Sequence, residues 1–319
     1  MRLVIADGAI FENILDHTFT IWNEGLTRAA YSRWNAAQQR TRWGRAHLQR
    51  LALVDEQGTL LSTAKAYRFD ASLDGHPIRM CGVGAVFTPV ALRGQGYATV
   101  LLEQLLDRER RDGVELATLF SEIGPTFYQR LGFAPVPLDE MTVGVVRKDG
   151  APATLVRAGE ERDLPAIAAM HETRSTGARF SLRRDPSQIQ YSLARKRLLA
   201  GLGPSGLRQV EFFVVEEGAS AVAYAVLSTN ANGWTLEEAG DRDPAGARLG
   251  ALLQVLVARE PSHRTPLIRT WWPRALAIPP QLQLSDRSDP KDLLMFRALS
   301  DVDVPTRADE VFYWRSDQF

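Results

Sequence analysis

The sequence predicts an α/β (α+β) fold in which a mixed central sheet is flanked by helices, with two such units in tandem. Three observations carry this. The 319 residues exceed what one hydrophobic core usually serves, strand-like and helix-like runs alternate through the first 147, and a polar stretch with glycine and proline, RKDGAPAT, follows at 147–154. The expected domains are residues 1–150 and 151–319.

The first unit can be followed element by element. RLVIA opens as a short β-like run, and Phe11, Leu15, Phe19 and Trp22 then recur at helical spacing, with a second helical pattern from Thr27 to about Gln39. LQRLALV and LLSTAKAYRF read as strands joined through the turn DEQG. After LDGHP, the small and β-branched run MCGVGAVFTPV reads as a buried central strand. A helix from about Tyr97 to Arg111 carries Val100, Leu101, Gln104 and Leu105 at turn spacing and stops at DG. VELATLFS is the next strand, PTFYQRLGF a short helix with proline in its first turn, and EMTVGVVR a closing strand.

Composition narrows the partners. Thirty-eight basic residues balance thirty-eight acidic ones, so no summed positive field favours nucleic acid. No apolar run approaches bilayer length, so no membrane span is expected. Cys81 is a lone cysteine and Asp7 interrupts the start too early for a signal-peptide core, which points to a cytoplasmic protein. The five histidines (His17, His47, His76, His171, His263) show no HxxxH pairing and there is no CxxC, so no metal is expected. Nothing sets an oligomeric state.

The chemistry concentrates at LRGQGYATVLLEQLL, residues 92–106. Gly94 and Gly96 permit backbone conformations a Cβ would block, so N–H groups between Arg93 and Ala98 can converge at a helix N-terminus, where an anion is favoured. A pyrophosphate suits that place. A Walker loop would require lysine after its second glycine, and a dinucleotide fingerprint a third glycine; GQGYAT has neither.

Arg93-Gly94-Gln95-Gly96-Tyr97-Ala98 instead resembles the acetyl-CoA loop of the GNAT acetyltransferases: Arg or Gln, two residues, Gly, one residue, then Gly or Ala. GAVFTPV before the loop, VELATLFS after it and FYQRLGF beyond repeat that family's layout of splayed strands followed by a short tyrosine-bearing helix. The resemblance implies an acetyl-CoA-dependent N-acetyltransferase acting on a primary amine. It implies that cofactor contacts run from Val86 and Phe87 through Arg93–Ala98, that a backbone N–H near Val86 or Phe87 stabilises the oxyanion, and that Tyr128 protonates the departing sulfur.

An alkyl amine with a pKa of about 10.4 is mostly protonated at neutral pH, so a carboxylate near the acceptor would both attract the cation and take its proton. Glu122 in LFSEIGP is the first candidate. Asp16 and Glu24, in HTFTIWNEGLTRAAYSRW, are candidates for holding the substrate.

LFSEIGPTFYQRLGF is similar to two branches of the family: the enhanced-intracellular-survival type, which acetylates aminoglycosides and polyamines, and the yeast-type lysine N-acetyltransferases. The implied acceptor is a small molecule of the lysine, polyamine or aminoglycoside kind. A protein lysine and a non-catalytic CoA-binding role stand as alternatives. In the first branch a C-terminal carboxylate takes part in catalysis; this sequence ends at Phe319, without length for a third, sterol-carrier-like domain, so that role does not carry over directly.

In the second half, TLVRAGEERDLPAIAAMHE, EFFVVEEGASAVAYAVLST and GWTLEEAG read as strand and helix, hairpin, and strand. The following DRDPAGARLGALLQVLV lacks the arginine and glycine spacing of the first loop, and Asp241 and Asp243 would repel a pyrophosphate. The expectation is a degenerate GNAT-like unit. WWPR at 271–274 is expected in a core, VFYW to pack, and ARFSLRRDP at 178–186 to bind an acid or form a solvated connection.

Overall fold

A computed structural model describes residues 1–146, 154–261 and 265–319. All but the last residue of the linker expected at 147–154 lies outside the described residues. The first half runs β1 (Arg2–Ile5), α1 (Gly8–Trp22), α2 (Arg28–Arg40), α3 (Arg42–His47), β2 (Leu48–Val54), β3 (Leu60–Leu73), β4 (His76–Phe87), α4 (Tyr97–Arg111), β5 (Leu116–Ser121), α5 (Thr126–Gln129), β6 (Ala134–Val136) and β7 (Glu140–Val145). The second runs β8 (Val156–Ala158), α6 (Leu164–Ser175), β9 (Phe180–Leu182), α7 (Pro186–Leu202), β10 (Arg208–Glu217), β11 (Ser220–Asn230), β12 (Gly233–Asp241), α8 (Ala247–Ala258), β13 (Ile268–Thr270), β14 (Leu282–Ser288), β15 (Leu293–Ala298) and β16 (Val311–Phe312).

Two mixed sheets result. One follows the order β1-β2-β3-β4-β5-β15-β6, with β9 and β16 attached beside β3, and the other β8-β10-β11-β12-β13-β7-β14. The seven-strand orders correspond strand for strand, each with one parallel pair along it, β4 with β5 and β12 with β13; the attached β9 and β16 are also parallel to each other. They also reveal a reciprocal exchange. β7, read from sequence as closing the first unit, pairs with β13 and β14 of the second sheet, while β15 pairs with β5 and β6 of the first. The strand expected from EMTVGVVR forms over Glu140–Val145, but in the other sheet, because alternation fixes which side chains are buried and not which edge the strand joins; residue 147 lies outside the described residues.

Local chemistry explains the helix boundaries. Thr27 Oγ1 accepts the Ala30 N–H at 3.2 Å and starts α2. Thr41 Oγ1 accepts the Gly44 N–H at 2.9 Å and starts α3, a helix not expected from sequence because RWGRAH carries a mid-helix glycine. Gly44 is there for space: a Cβ would sit 2.0 Å from the Gln38 carbonyl oxygen. Along α4, Leu101, Leu102, Leu105 and Leu106 are buried against the first sheet, each contributing roughly 1.5–3 kcal/mol. Fully buried Glu109 accepts from Arg68 Nε of β3 at 2.8 Å, pinning the helix laterally.

The halves are also fastened by polar groups. ARFSLRRDP is not a solvated connection: its Phe180–Leu182 forms β9 on the first sheet, and Arg184 is buried, contacting Glu238 Oε2 of β12 at 2.7 Å and Asp317 Oδ1 at 3.2 Å. VFYW packs as expected, with β16 parallel to β9 and Trp314 fully buried. Trp271 and Trp272 lie in the cores.

His171 of α6 gives the fold a pH dependence. Its Nε2 donates to the Leu182 carbonyl at 2.9 Å, its Nδ1 is buried without a partner, and burial, then Arg184, hold its pKa down to about 3. The ordinary value is 6.5. Between those values only the unfolded chain takes the proton, so stability falls as pH drops through that window. His171→Gln, which keeps an N–H donor, should flatten the slope by about 1.4 kcal/mol per pH unit, read from urea midpoints between pH 6.5 and 4.5. Unchanged slopes would show that His171 is charged in the fold.

Candidate active site

The cofactor-side elements meet where β4 and β5 part. Their parallel pairing runs from Met80↔Leu116 to Val83↔Leu119 and then stops. Beyond it β4 bulges: its register against β3 slips between Thr63 and Lys65, and Ala85 takes φ +48, a conformation that costs a residue with a Cβ of order 1 kcal/mol or more. The bulge leaves the backbone of Gly84–Val86 without a β5 partner and turns it toward a cavity of about 790 Å³. Val86 lines that cavity. Phe87 does not; its ring packs near His17 and Trp22, and its carbonyl accepts from Ser62 Oγ at 2.9 Å.

The loop between β4 and α4 has the form the sequence suggests. Gly94 and Gly96 adopt φ +78 and +82, no side chain accepts from the first turn of α4, and Arg93, Gly94, Gln95 and Gly96 are exposed. Arg93 Nε reaches the Thr88 carbonyl at 3.3 Å and Gln95 Nε2 the Ala91 carbonyl at 3.5 Å. Tyr97 and Ala98 begin the helix, half-buried. Unclaimed N–H groups at a helix N-terminus, beside an exposed arginine, fit the pyrophosphate of CoA.

The second unit shows what a closed version looks like. Asp241 Oδ2 accepts the Arg248 and Leu249 N–H groups at the start of α8, each at 2.9 Å, and Oδ1 that of Asp243 at 2.8 Å. The anion position is filled by the chain's own carboxylate. Pro279 and Gln281 crowd the same helix start, since a Cβ on Gly246 or Gly250 would lie 2.8 Å from Pro279 Cγ or 2.1 Å from Gln281 Oε1.

At the far side of the bulge, Tyr128 of α5 and Glu122 both line the cavity. Ser121 Oγ donates to the Gly124 carbonyl at 2.6 Å and shapes the SEIG turn between them. Burial, then the Glu122 charge, push the Tyr128 phenol up to about 12. Glu24 lines the cavity but is engaged: Arg208 Nη1 meets its carboxylate at 3.2 Å and Nη2 its carbonyl at 2.8 Å. Asp16 accepts from Arg28 on the surface and is absent from the cavity wall.

Other wall residues have no local motif and were missed in the sequence: Arg50 and Lys65 from the first sheet, Arg195 and Lys196 from α7, and Arg315. The available signal was charge at strand positions otherwise facing inward, in LQRLALV and LLSTAKAYRF. The aromatic floor is equally non-local. The Phe319 ring lies 4.9 Å from Tyr67 and 5.6 Å from Phe120 by centroids, and a Cβ on Gly82 would come within 2.5 Å of it.

A splayed parallel pair, an open glycine loop at a helix start and a tyrosine helix beyond define a class: this is an acyltransferase carrying a GNAT acetyltransferase domain, and a family model described as Acetyltransferase (GNAT) domain matches residues 12–136. Solved structures extend the likeness to the tandem. A GCN5-related N-acetyltransferase from Anabaena variabilis is 10% identical with a TM-score of 0.68, over 94% of this chain and 73% of that one. Eis1 from Mycobacterium abscessus is 14% identical with a TM-score of 0.58, over 94% and 74%. Saccharomyces cerevisiae N-myristoyltransferase, solved with myristoyl-CoA bound, is 12% identical with a TM-score of 0.52, over 92% and 81%. At these identities the likeness is one of fold. No curated protein sequence matches. Among the described residues no helix is long and apolar enough to cross a membrane.

Proposed function

We propose that the protein transfers the acetyl group of acetyl-CoA to the primary amine of a small molecule, directly within a ternary complex. The observation that carries this reading is the contrast between two equivalent helix starts: that of α8 is filled by Asp241, while that of α4 is open and leads along the β4 bulge to Tyr128 and Glu122. Acetyl-CoA supplies an activated thioester. Arg93, Gly94, Gln95, Gly96, Tyr97 and Ala98 hold its pyrophosphate, and the half-buried backbone of Gly84–Val86, which has no β5 partner, hydrogen-bonds the pantetheine arm. The Val86 N–H stabilises negative charge developing on the carbonyl oxygen. Glu122 takes the amine's proton through water, and Tyr128 donates to the leaving sulfur.

Release of free thiol from acetyl-CoA, measured with small amines and with a lysine peptide, tests the reading; turnover with small amines only is expected. Gly96→Val is the companion variant. No atom lies within 4 Å of where its Cβ would be, so the change acts on the left-handed backbone and not on packing. Acetyl-CoA should bind about 10-fold more weakly or worse by calorimetry. Equal binding by the variant, or none by the wild type, would remove the cofactor assignment.

A further inference from the structure

The acceptor cavity carries an electrostatic imbalance. Counting side chains of its described lining residues, six are cationic (Arg50, Lys65, Arg195, Lys196, Arg208, Arg315) and four are carboxylates (Glu24, Glu122, Glu237, Asp292). Three of the cations are accounted for: Lys196 meets Glu237 at 2.8 Å, Arg208 meets Glu24 at 3.2 Å, and Arg315 is bound to Glu140. Asp292 is held by Gln318 Nε2 at 2.7 Å. Glu122 stands beside Tyr128, where the amine is to react.

Arg50, Lys65 and Arg195 have no carboxylate partner among the described residues. Arg50 and Lys65 are register partners on β2 and β3, so their side chains share a face, an arrangement that is unfavourable for like charges. Arg50 is 2% exposed; its Nε donates to Thr63 Oγ1 at 3.1 Å, while its Nη2 is buried with no partner. Lys65 Nζ reaches Gln38 Oε1 only at 3.5 Å and lies 5.7 Å from the Trp34 ring centroid. Arg195, brought in by α7 of the other half, donates to the Gln318 carbonyl. Burial, then Arg50 and Arg195, press the Lys65 pKa well below its ordinary value.

Concentrated positive charge in a part-buried wall, with a buried donor left over, is costly unless something anionic arrives. Resting on the acetyl-transfer reading above, we infer that the acceptor is an amine that also bears a carboxylate, which Arg50, Lys65 and Arg195 hold while the amine faces Glu122 and Tyr128. Both sets of groups line the one cavity. A polyamine or aminoglycoside would instead bring further positive charge against these three.

Matched pairs differing only by the carboxylate test this: L-lysine against cadaverine, and L-phenylalanine against phenethylamine. The full chain should acetylate the acid of at least one pair with kcat/KM about 10- to 100-fold above its decarboxylated partner, the range expected for charge-assisted hydrogen bonds. Lys65→Gln and Arg195→Gln, on different elements, should pull that ratio toward one through KM, and Lys65→Arg should retain it. Calorimetric titration of the CoA-loaded protein with the same four compounds reads the ranking without turnover. Equal or reversed ranking, or no binding by either acid, overturns the inference. Failure to bind acetyl-CoA, or to release thiol with any amine, overturns the reading beneath it instead.

Discussion

Tyr128→Phe should lower kcat about 10²-fold or more while leaving acetyl-CoA affinity nearly unchanged. The ring is held by packing that the substitution keeps, edge-on to Phe127 at 5.0 Å and to Phe133 at 6.1 Å. Its hydroxyl makes no hydrogen bond within the described residues, so removing it leaves no stranded partner and little change in stability is expected. What disappears is a proton donor at the cavity wall. With its pKa pushed up to about 12, the phenol is fully protonated at any working pH, and the burial that raises it would equally raise the basicity of a thiolate expelled beside it. For the same reason no alkaline fall in kcat below about pH 10 should trace to Tyr128. A parallel loss of acetyl-CoA binding in the variant would make Tyr128 a packing residue.

The glycine loop and the helix it opens were legible because they are local in sequence. Arg93 to Ala98 are contiguous, their glycines are required by positive φ, and the helix they cap follows at once. The strand before and the tyrosine after belong to one consecutive β4–α4–β5–α5 run, so order along the chain nearly determines position in space. Asp241 in the second loop was also readable; what the fold adds is that its carboxylate caps α8 itself.

The acceptor half was not legible, and the reason is topological. Its wall is drawn from β2, β3, α7 and the segment ending at Phe319, parts of the chain up to 270 or so residues apart. The strand exchange adds to this, because β15 and β7 each complete the other half's sheet. Asp16 and Glu24 were sensible candidates by composition, yet both meet arginines, Arg28 and Arg208. Lys65 and Arg50 belong to no local motif, and only the β2–β3 register sets them side by side.

That dependence on distant segments makes Arg184 the residue on which fold and site jointly rest. Arg184→Leu should destabilise the protein by about 3–5 kcal/mol, measured by equilibrium urea unfolding, because it leaves two buried carboxylates without their cation. Glu238 and Asp317 are 2% and 7% exposed, and they come from β12 and the terminal segment, while Arg184 follows β9 on the first sheet. Neither acid can turn to water. Glu238 is also bonded by the Tyr224 hydroxyl at 2.8 Å, and Asp317 Oδ2 accepts the Trp314 N–H at 2.8 Å. The wild-type balance is already close: burial, despite Arg184, pushes the Asp317 carboxyl up to about 6. If the cost is an uncompensated charge, then Arg184→Met combined with Glu238→Gln and Asp317→Asn should recover most of the stability. If it is lost packing, the triple variant should be no better than the single one. The single variant should also raise KM for the acceptor more than for acetyl-CoA, since Asp317 anchors the segment that carries Gln318 and Phe319 into the acceptor cavity and the α4 loop lies elsewhere. A loss below about 1 kcal/mol would mean that the cluster is not ionised in the fold.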